Sequence, residues 1–178
     1  MPVETKLSAA IANAKRTASI TANGDLQLLT FRLDDQEYAL FIANVVQVVR
    51  MVAVTRAPKA PSFVEGMINL RGKVIPVINI RERCGLPDRA YDLNTQLLIA
   101  NADGRTMALM VDVVSEVLTI PADHVEPPDE IGADMKHLLA VGKLGDRLIL
   151  IIDPRTLLSD YEAALLGLPA NSQPALVA

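Results

Sequence analysis

From Leu26 onward the chain runs in short aliphatic segments separated by brief polar interruptions, a texture that predicts strands joined by tight turns. LQLLTFRL, DDQ and EYALFI read as strand, turn and strand. The form returns over 94–120 in NTQLLIANADGRTMALMVDVVSEVLTI, where Asp103-Gly104 is the turn, and again in HLLAVGKLGDRLILIIDPRTLL about Gly145-Asp146. Between these lies GMINLRGKVIPVINIRERCGLP, which sets Arg71-Gly72 between the aliphatic runs 67–70 and 74–78. Glycine serves such a turn through its backbone freedom. Arginine adds nothing to it, so a guanidinium there points to an ion pair or a partner. Asp34, Asp35 and Asp103 fall at turn tips, where solvated carboxylates are ordinary turn formers. Pro58 and Pro61 break the chain before one helical turn expected over 62–65, and PADHVEPPDEIG reads as a loop. Asp153-Pro154 predicts a C-terminal helix over 154–167, with Asp as N-cap and Pro in the first turn. Residues 1–24 read as a flexible arm with at most a weak amphipathic helix over 7–18, and 168–178 as a tail.

The chain repeats itself. LLTFRLDDQEYALFI from Leu28 aligns without a gap with LLIANADGRTMALMV from Leu97, so that Ala39 meets Ala108 at a spacing of 69. RGKVIPVINIR from Arg71 aligns with GDRLILIIDPR from Gly145 at a spacing of 74, and Asn79 meets Asp153, both suited to capping a helix. Each copy spans roughly 70 residues and is too small to seal a core comfortably alone. The expectation is a mainly β fold of two small barrels packed together, with halves of roughly 26–90 and 94–152 and a groove at their junction.

The sequence is 51% hydrophobic but only 3% aromatic, so the core is built from Val, Ile, Leu and Ala and leaves aliphatic surface for a protein partner. A net charge of -4 with no run of Lys or Arg removes the footprint of nucleic-acid or anionic-membrane binding. No window approaches the roughly 18 to 20 apolar residues of a spanning helix, and no apolar run near the start has signal-peptide length. With Cys84 as the single cysteine, compatible with a reducing compartment, the expectation is a cytoplasmic protein without membrane insertion.

Enzyme chemistry is thinly represented. His124 and His137 stand thirteen residues apart with neither a cysteine partner nor H-E-x-x-H spacing, so no metal site is expected. No G-x-S-x-G elbow is present, and Cys84 reads as a small core residue. Neither phosphate-loop pattern occurs, so no nucleotide is expected. No catalytic residue and no cofactor are therefore expected.

The blocks FRLDDQEYALFIANVVQVVR, FVEGMINLRGKVIPVINIR, MALMVDVVSEVL and LLAVGKLGDRLILIIDPRTLL, in that order, resemble the CheW family of bacterial chemotaxis adaptors, over residues 25–167. The resemblance implies two SH3-like five-stranded β-barrel subdomains with short helices. It also implies a non-enzymatic protein linking chemoreceptor cytoplasmic tips to the regulatory domain of the histidine kinase CheA in receptor arrays. It assigns Val45, Gln47, Val48, Arg71, Leu97 and Ile99 to receptor binding and Thr55, Arg56, Gly66 and Gly72 to kinase binding, with the loop 125–131 as a further ring contact. Two departures stand out: the family's usual acid in V-x-E-I is Gln47, and its usual Asp after the P-V-I strand is Asn79, whereas the second repeat keeps Glu116 and Asp153. The alternatives are an adaptor of a chemosensory pathway controlling pili, development or second-messenger synthesis, and a small ligand-binding or enzymatic barrel with an apolar pocket between its halves.

Overall fold

The computed structural model describes residues 20–128 and 136–168. The arm before residue 20, the loop residues 129–131 and the tail beyond 168 lie outside the described residues. The described chain is built from β1 (Leu26–Leu33), β2 (Gln36–Phe41), β3 (Val45–Arg50), β4 (Val64–Leu70), β5 (Lys73–Asn79) and helix α1 (Ile80–Arg83). There follow β6 (Gln96–Ala102), β7 (Arg105–Val111), β8 (Val113–Ile120), β9 (Val125–Glu126), β10 (Leu138–Leu144), β11 (Arg147–Ile152) and helix α2 (Asp160–Leu165).

All four hairpins expected from turn chemistry form. Asp34, Arg71 and Asp103 occupy the left-handed region at φ 53°, 52° and 52°, and Gly72 and Gly104 follow at 84° and 81°. Such backbone matches the right-handed twist of the flanking strands. Two asparagines reinforce the turns: Gly72 N–H donates to Asn69 Oδ1 at 2.9 Å and Gly104 N–H to Asn101 Oδ1 at 3.3 Å. For Arg71 the left-handed conformation is unfavourable, since its Cβ crowds the following carbonyl.

The hairpins are exchanged between the repeats. One sheet has the order β8-β1-β2-β11-β10-β9 and the other β3-β6-β7-β5-β4. The first joins the N-terminal hairpin of repeat one to the later strands of repeat two; the second does the converse. The parallel seams obey the duplication. Ala39 lies opposite Ile151, and Ala108 opposite Val77, so the spacings of 69 and 74 carry one pair into the other.

Two compact units result, one holding the described residues up to Val45 with Val111–Asp153, the other Val46–Met110 with the residues from Pro154 onward. These differ from the sequence halves 26–90 and 94–152. The free edge of each hairpin pairs with a strand far away in the chain, and a repeat pattern does not specify which copy supplies it.

In each unit one chain segment reaches both edges of its sheet. Beyond β3, Thr55 and Met67 of β4 exchange two backbone hydrogen bonds of 2.8 and 2.7 Å. Beyond β8, β9 sets Glu126 opposite Val141 of β10, adding a sixth strand. Each barrel is filled by inward-facing apolar side chains: Leu28, Phe41, Ile120, Ile149 and Ile151 in the first, and Met51, Ile68, Val77, Leu97, Ile99 and Met110 in the second.

The helical stretches are shorter than expected. Residues 64 and 65 already belong to β4, so 62–65 is not a helical turn. After β11 the segment Pro154–Thr156 makes only a 3-10 turn, and α2 begins at Asp160 instead of running over 154–167. Leu157 and Leu158 are both buried in between, and the Leu158 carbonyl accepts a hydrogen bond from Arg105 Nη1 at 2.8 Å. Ser159 then caps α2: its hydroxyl accepts from Glu162 N–H at 3.2 Å and its N–H donates to Glu162 Oε2 at 2.7 Å, a capping box.

Candidate functional site

Strand β3 carries the sequence VVQVVR at the end of its sheet, with Val45, Gln47 and Val49 half-buried and Val46, Val48 and Arg50 exposed. Period-2 alternation places three side chains on each face. Val46 is 56% exposed and Val48 40%, too much aliphatic surface for a strand edge that has no partner. Of the residues assigned to receptor binding, Val45, Gln47 and Val48 share this strand. Arg71 stands apart on the β4–β5 turn, exposed and without an ion pair among the described residues. No hydrogen bond joins it to Gln47.

Leu97 and Ile99 require correction as contact residues. Both lie on β6 at 0% and 1% exposure inside the second core, because their faces of that strand are covered by Met51, Ile68 and Met110. They support β3, their neighbour in the sheet, from within and offer no surface to a partner.

Of the kinase-assigned residues, Thr55 and Gly66 come together. Gly66 sits in β4 at φ 153° directly beneath the Thr55 backbone, and a Cβ there would overlap the Thr55 carbonyl oxygen and approach Val54 Cγ1 to 2.7 Å. Its role is to let two strands close. Thr55, Arg56 and Gly72 are exposed, and nothing lies within 4 Å of a Cβ built on Gly72.

Sequence reasoning missed further exposed aliphatics: Val74 on β5 at 61%, Val117 on β8 at 56%, and Leu93 at 77% beside a shallow depression of about 470 Å³ lined by residues 51–54 and 91–93. Strict alternation along VVQVVR would have singled out Val46. No local signal marks Leu93.

The two departures from the family pattern find different settings. Asn79 is buried; its side chain caps α1 and its Nδ2 donates to Glu65 Oε1 at 3.0 Å and Asp88 Oδ1 at 3.3 Å. Only an amide sits comfortably between two carboxylates, so Asn79 matches its own neighbours. Glu116, the counterpart of Gln47, belongs to an ionic triad in the first unit. Arg147 Nε and Nη2 donate to Glu37 at 3.0 and 2.7 Å, and Nη2 to Glu116 Oε1 at 2.9 Å.

The hydrogen bonds from Arg147 hold the Glu37 carboxyl below its usual pKa against a smaller opposing effect of burial. A depressed carboxylate contributes stability that is present above its unfolded value and is lost as pH falls through the folded one. Arg147→Gln is therefore expected to abolish that component: its stability, followed by urea denaturation from pH 6 to pH 3, should fall less steeply below about pH 4.3 than that of the unaltered protein. Parallel curves would rule out the triad as their source.

No group of three His, Cys, Asp or Glu side chains suited to a metal ion occurs among the described residues, and none of their helices is long and apolar enough to cross a membrane. Burial pushes the Cys84 thiol up to about 11, which disfavours the reactive thiolate.

Residues 27–162 match the model of the CheW-like domain. The chain belongs to the CheW-like family. It is 33% identical over 148 residues to the chemotaxis protein CheW of Klebsiella aerogenes, covering 82% of this chain and 89% of that one. It is also 28% identical over 127 residues to protein FrzA of Myxococcus xanthus, covering 71% and 79%. Among solved structures it is similar to the scaffolding protein TtCheW of Thermoanaerobacter tengcongensis, with a TM-score of 0.67 and 36% identity over 71% of this chain and 88% of that one. The exchanged barrels are thus those of a CheW-type adaptor, a scaffold of chemotaxis signalling.

Proposed function

We propose that this chain couples chemoreceptor cytoplasmic tips to the histidine kinase CheA, without catalysis of its own, in the cytoplasm at receptor arrays. The observation that carries the reading is β3, whose exposed Val46 and Val48 form an apolar strip at a sheet edge. A helical tip docking there would bury these valines, with a few side chains supplying most of the binding energy. Arg71 adds a second element. An arginine held at φ 52° on an exposed turn costs stability where glycine would not, which is understandable if its guanidinium serves a partner. Thr55, Arg56 and Gly72 supply exposed surface for the kinase's regulatory domain, the first of them beside an antiparallel bridge whose close approach Gly66 permits.

Coupling follows from holding two proteins at once. A shift in the receptor tip alters kinase activity only if the adaptor binds the two kinase states unequally, so rigid barrels that fix both partners suit the task. Reconstitution with receptor cytoplasmic fragments and CheA, scored by co-sedimentation and kinase activity, tests the reading. Arg71→Glu is expected to lower receptor-dependent kinase activation at least about tenfold while the protein stays folded. Full activation by that variant would remove Arg71 from the interface. Pairing the protein with kinases of other chemosensory pathways decides whether its output is chemotaxis or a related response.

A further inference from the structure

The burial alternation of β3 runs on past its last residue. Val45, Gln47 and Val49 are half-buried and Met51 is buried, while Val46, Val48, Arg50 and Val52 are exposed, so one face of a single segment carries these four in a row. Val49 and Met51, on the opposite face, pack into the second core, which makes the row part of the outer wall of that barrel. Same-face neighbours on a strand stand about 6.7 Å apart, so the row is about 20 Å long. It ends at the depression that Val52 lines together with Tyr91 and Leu93, both exposed. All of these residues lie in the second unit.

Arg50 is the one charge in this row, and its guanidinium has neither an ion pair nor a hydrogen bond among the described residues. Asp92, which also lines the depression, accepts a hydrogen bond from Asn94 N–H at 2.7 Å and makes no ion pair with it. The other repeat lacks the feature. A spacing of 69 carries Val46, Val48, Arg50 and Val52 onto Ser115, Val117, Thr119 and Pro121, a more polar row without a cation. One barrel alone therefore presents an aliphatic strip interrupted by a positive charge.

We propose that Arg50 selects and registers the docked chemoreceptor tip by pairing with a carboxylate set in the apolar stripe of its helix. This rests on the coupling reading, which places the tip on β3, and deepens it by naming the residue that reads the tip's charge. A helix rises about 6 Å over four residues, nearly the step of the row, so a helix laid along β3 meets it about once per turn. Two aliphatic side chains then cover Val46 and Val48, an acid meets Arg50, and a further aliphatic side chain enters the depression beside Val52. A tip with an apolar residue in the third place would bury the guanidinium unpaired, and a tip displaced by one turn would set its acid against valine. Both are penalised, so the charge fixes partner and register while the valines supply contact area.

Binding of a receptor cytoplasmic fragment tests this. Arg50→Glu should bind about tenfold more weakly and Arg50→Lys within about threefold of the parent. Both should melt with the parent, because the guanidinium holds nothing within the chain. Replacing the fragment's tip carboxylates by lysine one at a time should yield one fragment that recovers binding to Arg50→Glu and loses it to the parent. Parental affinity in Arg50→Glu, or recovery with none of the lysine fragments, overturns the proposal. Val48→Asp tests the strand itself: weakened binding there beside parental affinity in Arg50→Glu removes Arg50 and keeps β3 as the docking strand. Failure of the unaltered protein to bind the fragment sinks the coupling reading instead, a result distinguishable from the others.

Discussion

Gly66→Ala is expected to destabilise the protein by about 3 kcal/mol, since an added methyl group meets a closer obstruction there than at Gly72 or Gly142. The new Cβ would overlap the Thr55 carbonyl oxygen, and Thr55 is tied to Met67 by two backbone hydrogen bonds, so the obstruction is backbone and not a side-chain tip that swings aside. The φ of 153° adds strain for any residue with a Cβ. Gly72→Ala is the matched control. Its added methyl meets open space, and only its left-handed φ of 84° counts against it, for about 1 kcal/mol. Urea denaturation of both variants measures the difference. A Gly66→Ala protein as stable as the Gly72→Ala protein would mean that the strands do not approach as described. Loss of kinase binding in a Gly66 variant therefore reports first on barrel closure and only then on the interface.

Arg105→Ala should cost about 3 kcal/mol and release the C-terminal segment. Arg105 is 3% exposed at the start of β7, where Nη1 donates to the Leu158 carbonyl and Nη2 pairs with Asp160 at 3.0 Å. Its loss strips a buried carbonyl of its donor and leaves a cavity beneath Leu157 and Leu158. Asp160 is a different matter: its side chain is 65% exposed, so Asp160→Asn removes a screened interaction and should cost less than about 1 kcal/mol. Arg83 holds the same segment independently. It donates to the Leu157 carbonyl at 2.9 Å and to Glu162 at 2.7 Å with its guanidinium 3.6 Å from the centre of the Phe63 ring. Hydrogen exchange over 157–166 should accelerate in Arg105→Ala while β1 and β2 keep their protection. Unchanged exchange there would show that Arg83 and the capping box suffice.

The four hairpins were legible because each is specified within about sixteen consecutive residues, by alternating apolar positions on either side and by turn residues such as Asp103-Gly104. The capping role of Asn79 was legible for the same reason. The start of α2 was not: Asp153-Pro154 looks like a helix start locally, but the buried pair Leu157-Leu158 and the grip of Arg105 delay the helix to the Ser159 capping box. Arg105 itself was invisible as a structural residue, since its partners lie more than fifty residues away. Leu97 and Ile99 were placed on the wrong side of their strand's function, because an aliphatic run reads the same whether a partner protein or the barrel core covers it.

The linear order of residues alone determined the hairpin strands, their turns, the duplication and membership of the CheW-like family, since all of these depend on neighbours in the chain or on likeness of whole segments, whereas β9 lies in a segment that reads as a loop. Tertiary structure decided which hairpin joins which sheet, why Gly66 has no side chain, and that Glu37 and Glu116, far apart in the chain, share Arg147. Parallel pairing of β2 with β11 and of β5 with β7 is set by burial across long separations, where hydrophobic cohesion is non-directional and the local code carries no address.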